Sequence, residues 1–181
     1  MTGWQTRATR TVYENAWIRV REDAVTRPDG SDGVYGVTAM KHPAVFVVPL
    51  TDAGEVVLVR MHRYPIDRES IEVPAGGSDG GEPLVAAQRE LLEETGRRAV
   101  TWKRLGEFYS LNGIADARAD VFLAHGLTGD GEGADAAAEG ISGLLVVPWA
   151  EAMELVRAGT IHDGETMAAL MLAGLELGYV R

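Results

Sequence analysis

Residues 89–96 read Arg-Glu-Leu-Leu-Glu-Glu-Thr-Gly. Glu90 and Glu94 stand four apart and Glu90 and Glu93 three apart, so on a helix the three carboxylates share one side, with Arg89 beside them. A cluster made only of oxygen donors suits a hard divalent cation such as Mg²⁺. The same spacing also describes a solvated acidic face, where like-charge pairs cost only about 0.2–0.5 kcal/mol each. The glutamates alone leave both readings open. The preceding segment separates them: a short apolar stretch ends at Pro74, and four of the six residues in Gly76-Gly77-Ser78-Asp79-Gly80-Gly81 are glycine. Such a loop lets backbone approach a ligand or a metal without side-chain obstruction. A backbone carbonyl at the end of the preceding strand would add a further oxygen.

These residues need elements to hold them. Pro83 to Thr95 is expected to be a helix, with proline in its first turn and Gly96 just past its end. On a wheel at about 100° per residue, Leu84, Ala87, Gln88, Leu91 and Thr95 fall on one side and the glutamates on the other. Alternation predicts strands over Ile18–Val25 and Val34–Met40, within a small antiparallel sheet spanning residues 1–41. The apolar runs Ala44–Leu50 and Val56–Arg60, joined by Thr51-Asp52-Ala53-Gly54, read as a buried hairpin. Further strands are expected at Ser70–Val73, Val100–Phe108, Arg118–Ala124 and Leu144–Val147, and helices at Ala150–Arg157 and Glu165–Leu177. Thr128–Gly143, rich in glycine, alanine and acid, reads as a mobile loop. Helices interleaved with strands point to an α/β sandwich around a mixed sheet. The expected division is 1–41 for the N-terminal sheet and 42–181 for the main domain.

Composition narrows the chemistry. The net charge of −10 argues against a nucleic-acid backbone as partner. An anionic substrate would need a cation between itself and the protein. The absence of cysteine removes disulfides, thiol nucleophiles and thiolate metal sites. His42, His62, His125 and His162 show no zinc-ligand spacing. No apolar run is long enough for a membrane span, and the N-terminus lacks the pattern of a signal peptide, so a cytoplasmic protein is the expectation.

The run Gly76, five residues, Glu82, six residues, Arg89-Glu90-Leu91-Leu92-Glu93-Glu94-Thr95-Gly96 resembles the signature of the Nudix hydrolases, one residue short between Glu82 and Arg89. The likeness extends to Leu58–Pro65, Glu72–Gly77, Asn112–Arg118 and Ile161–Thr166, which resemble the ADP-ribose pyrophosphatase and nucleoside-diphosphate-sugar hydrolase branch. The resemblance implies a Nudix-type α/β/α sandwich with a small N-terminal antiparallel sheet. It also implies Mg²⁺ (with Mn²⁺ as substitute) on Glu90, Glu93, Glu94 and the Ala75 carbonyl, Arg89 orienting the carboxylates, and homodimers built through residues 1–41. Arg63 would hold phosphate and Glu72 the nucleoside, with Gly76 and Gly77 lining the substrate; a surface Arg63 and a Glu72 paired with a nearby arginine are the alternatives. Where many of these enzymes carry a glutamate this chain has Ala117, so the general base is sought in Glu139, then Asp116. The expected reaction is Mg²⁺-dependent hydrolysis of the diphosphate in ADP-ribose or a nucleotide sugar; the alternative is a domain that senses such nucleotides without cleaving them.

Overall fold

The computed structural model describes residues 3–129, 131, 133 and 140–180. In chain order the strands are β1 (Gln5–Glu14), β2 (Ile18–Thr26), β3 (Asp32–Met40), β4 (Ala44–Pro49), β5 (Glu55–Arg63), β6 (Arg68–Glu72), β7 (Ala75–Gly77), β8 (Arg98–Tyr109), β9 (Ala115–Asp116), β10 (Arg118–Thr128) and β11 (Ile141–Pro148). The helices are α1 (Pro83–Thr95), α2 (Trp149–Arg157) and α3 (Gly164–Glu176). They form two compact units, Met1–Pro43 with Tyr109–Arg118, and Ala44–Phe108 with Ala119–Arg181.

The first unit is a sheet in the order β1-β2-β3-β9. β1 and β3 run antiparallel to β2, and β9 joins β3 in parallel. Every residue of β1 is exposed, so the strand carries no apolar alternation for sequence reading to find. Cross-strand ion pairs such as Arg10–Glu22 at 2.9 Å tie it to β2 instead. Glu14 accepts from both Lys41 and Arg19, whose hydrogen bonds lower its carboxyl pKa to about 2.

The second unit holds the sheets β7-β4-β10-β8 and β11-β5-β6. β4 runs parallel to β10 and antiparallel to β7, giving the mixed sheet. Its run AVFVVP is apolar throughout because both of its faces are covered. With a side-chain period of two, Val45 and Val47 face a cluster containing Ala86, Ala87 and Leu91 of α1. Phe46 and Val48 face the opposite cluster, with Leu58 of β5, Ala152 of α2 and Leu170 of α3. Phe122 and Val121 of β10 divide between the two clusters in the same way.

The hairpin expected from Ala44–Leu50 and Val56–Arg60 is not formed. The two segments meet only at the Leu50–Val56 bridge and then enter different sheets. Each strand is flanked on both sides, β4 by β7 and β10 and β5 by β11 and β6, so neither edge remains for the other. Among the described residues no helix is long and apolar enough to cross a membrane.

Candidate active site

α1 begins at Pro83 and ends where Gly96, at φ 65°, turns left-handed and donates its N–H to the Leu92 carbonyl at 2.8 Å. Its buried residues are Ala86, Ala87, Glu90, Leu91, Glu94 and Thr95. The wheel is therefore corrected. Leu84 and Gln88 are exposed, and the buried arc is turned toward the glutamates. Glu90 is 4% and Glu94 2% exposed, which excludes a solvated acidic face for these two. The helix packs on β4 and β7 at once, and that second contact is what covers them.

β7 supplies the cover. It pairs with β4 through Phe46↔Ala75, Val45↔Gly76 and Ala44↔Gly77, which lays its backbone along α1. The Ala75 N–H donates to Glu94 Oε2 at 3.1 Å. At Gly76 a Cβ would fall on the Glu90 carboxylate, so any larger residue there would have to displace Glu90. Arg89 closes the arrangement: its guanidinium donates to the Gly77 carbonyl and to Glu90 Oε1, both at 2.7 Å, and to Asp79 Oδ2 at 2.8 Å. The hydrogen bonds it donates to Glu90 and then to Asp79 raise its pKa further above the ordinary arginine range. Glu93 is half-buried, with Oε2 at 3.5 Å from Arg89 Nε. Glu82 precedes the helix, exposed and without a capping hydrogen bond. The stretch between Glu82 and Arg89 that is one residue short carries the exposed Leu84, Val85 and Gln88 and the buried Ala86 and Ala87.

These groups fit a hard cation by chemistry: two buried carboxylates one turn apart, a half-buried third, and peptide oxygens nearby. Among the described residues no three His, Asp or Glu side chains already converge as a metal cage. Mg²⁺ does not need one, since it keeps several waters and takes one or two protein carboxylates together with substrate phosphates.

Arg63 and Glu72 are found paired with each other. Arg63, at the end of β5, donates through Nε and Nη2 to the two oxygens of Glu72 at 2.9 and 2.5 Å. Burial pushes the Glu72 carboxyl up, but the hydrogen bonds and charge of Arg63 outweigh it and hold the pKa below the usual range. Arg63 is itself raised, mainly by Glu72, with the charges of Asp163 and Glu94 adding to the effect. It thus stands within the electrostatic reach of Glu94 on α1. Arg63 and Glu72, with Pro65, Ile66, Ser70, His162 and the start of α3, line a cavity of ≈ 490 Å³. Asp163 caps α3 by accepting from the Thr166 N–H at 2.6 Å, and Thr166 Oγ1 in turn accepts from the Val73 N–H at 3.2 Å.

Glu139 lies outside the described residues, as does half of the 128–143 segment. Asp116 is exposed on β9, in the first unit. Sequence reasoning did not single out Asp79, the anchor of Arg89; an acid between two glycine pairs was the available signal. His162 was visible only inside the stretch Ile161–Thr166.

Residues 40–170 match the model of the NUDIX domain, and residues 4–38 match that of the nucleoside diphosphate sugar hydrolase N-terminal domain. An ADP-ribose pyrophosphatase of Bacillus subtilis is 31% identical over 95% of this chain and 93% of its own. One of Mycobacterium tuberculosis is 31% identical over 93% of this chain and 82% of its own. The crystal structure of an ADP compounds hydrolase superposes with a TM-score of 0.84 at 21% identity, covering 97% of this chain and 95% of that one, a likeness of fold.

Proposed function

The chain belongs to the Nudix family, and on that premise we propose that it hydrolyses the diphosphate of a nucleoside diphosphate linked to a sugar, ADP-ribose first, with Mg²⁺. The observation that carries the reading is the seating of Glu90 and Glu94 against the backbone of Ala75–Gly77, within the field of Arg63. The names of the B. subtilis and M. tuberculosis relatives support ADP-ribose as substrate. The N-terminal match supports nucleotide sugars beside it.

Glu90, Glu94, Glu93 and the Ala75 carbonyl would hold the cation, with Mn²⁺ as substitute. When bound, it would supply charge neutralisation for the diphosphate and activation of water. Arg89 fixes the carboxylate rotamers, so the charge is preorganised. Arg63 presents a guanidinium to the substrate's phosphates while Glu72 orients it. Gly76 and Gly77 let the substrate close on backbone. The proton acceptor is assigned to Glu139, on the acidic character of the 128–143 segment. Residues 1–41 form the dimerisation element and 42–181 the catalytic domain. Trp4, Trp17 and Val34, at 53, 72 and 64% exposure, support an apolar surface between two copies. The net charge of −10 supports a small-molecule partner over nucleic acid.

The test is a substrate panel with Mg²⁺, Mn²⁺ or EDTA: ADP-ribose, nucleotide sugars, diadenosine polyphosphates and nucleoside triphosphates. ADP-ribose is expected to yield AMP and ribose 5-phosphate, with EDTA abolishing turnover. Binding without product would support a sensor instead.

A further inference from the structure

The cavity beside Glu94's neighbour Arg63 is lined by one guanidinium, that of Arg63, and three carboxylates, those of Glu72, Asp163 and Glu165. An anion arriving there meets an acidic wall. Arg63 is committed to Glu72 through two hydrogen bonds, and Glu72 is only 4% exposed. A diphosphate drawing on Arg63 would therefore leave a buried carboxylate undercompensated, which is costly unless another cation appears.

One lining group can become that cation. His162 lines this cavity together with the charged groups of three elements: Arg63 at the end of β5, Glu72 at the end of β6, and Asp163 and Glu165 at the start of α3. Its Nδ1 lies 3.3 Å from the Thr160 carbonyl, which can only accept, so Nδ1 carries the hydrogen. That leaves Nε2 as the site of any second proton. Nε2 is buried and has no hydrogen-bond partner among the described residues. The field of a charged His162 also acts on Glu72 in the direction that keeps it ionised.

We propose that His162 is a positioning residue that takes up a proton when a diphosphate occupies Arg63, and so keeps Glu72 ionised and Arg63 aligned. The proposal rests on the reading that Arg63 meets the substrate's diphosphate. The sign follows directly. An anion added to this cavity favours the protonated imidazole, so binding takes up a proton and affinity rises as pH falls.

Calorimetry tests this on the protein at saturating Mg²⁺ with the α,β-methylene analogue of ADP-ribose, which cannot be cleaved at the bridge and whose two phosphonate groups stay ionised near neutral pH. Titrations at pH 7.5 in two buffers of different ionisation enthalpy read the protons exchanged. The wild-type protein is expected to take up a fraction of one proton. His162→Gln, which keeps a side-chain donor, is expected to take up none, to bind about fivefold more weakly, and to show an affinity flat with pH. Glu72→Gln, which removes the charge to be balanced, should also suppress the uptake. Equal uptake in wild type and H162Q, or binding by wild type with no uptake, would overturn the proposal. No binding by wild type would instead contradict the diphosphate reading itself, and the inference with it.

Discussion

The Glu90 carboxylate occupies the space where a Cβ of Gly76 would stand, so the loop strand and the helix are fitted to each other at this pair. Glu90 is held there by Arg89, which reaches on to the Gly77 carbonyl and Asp79. Backbone, guanidinium and carboxylate are thus fixed before any ligand arrives.

Gly76→Ala is therefore expected to displace Glu90 and cost about 1–3 kcal/mol by overpacking, with activity lost beyond what the stability change explains. Gly143→Ala in β11 is the control. A Cβ there meets nothing within 4 Å, and activity should remain within about threefold, well below the tenfold that 1.4 kcal/mol would produce. Urea denaturation and steady-state turnover of the two variants read the contrast.

Arg89→Ala removes the group that orients Glu90 without removing a proposed ligand. The half-saturating Mg²⁺ concentration is expected to rise about 10–100-fold, the usual effect of losing an orienting partner behind a ligand. Asp79→Ala should shift it in the same direction by less, since Arg89 would keep the Gly77 and Glu90 contacts. A Mg²⁺ activation curve for each variant is the measurement.

The Arg63–Glu72 pair ties stability to pH. Because Arg63 lowers the Glu72 pKa in the folded state, the stabilisation is present above the unfolded carboxylate's pKa and is lost as pH falls through the folded one. Wild type and Glu72→Gln should therefore converge in denaturation midpoint in acid and diverge toward neutrality. Arg63→Ala leaves a buried carboxylate without its bidentate partner and is expected to cost about 1–3 kcal/mol at neutral pH, with a raised KM for ADP-ribose.

The legible parts of this chain were those written in short-range pattern. Pro83 and Gly96 bracket α1 in the sequence as they do in the fold, and the Arg89–Gly96 run with the loop before it marked the family. What escaped was set by tertiary contact. Burial of Glu90 and Glu94 depends on three residues of β7 lying across the helix, and a wheel computed from α1 alone turns the charged face outward. The expected hairpin failed for a related reason: the apolar runs of β4 and β5 record burial on both faces, not which strand lies beside which. β1 buries none of its residues, Val12 and Tyr13 included, and is tied to β2 by ion pairs, so it left no hydrophobic period. The pairing of Arg63 with Glu72, nine residues apart, is not a rung of the β5–β6 ladder, which sets Val59 opposite Glu72 and Arg63 opposite Arg68; the long arginine side chain reaches Glu72 along the sheet, and strand pattern alone does not show that.

The most direct test of the central claim is the turnover of ADP-ribose by Glu94→Gln beside the wild-type protein at saturating Mg²⁺, with thermal unfolding of both followed by circular dichroism. Glu94 is buried, accepts from the Ala75 N–H and stands one helical turn from Glu90. The amide keeps its shape while losing its charge. The prediction is a fall in kcat of about 100-fold or more, the scale of removing one preorganised electrostatic group, with the fold retained. Near-normal turnover by a folded E94Q would contradict the assignment of Glu94 to the cation site.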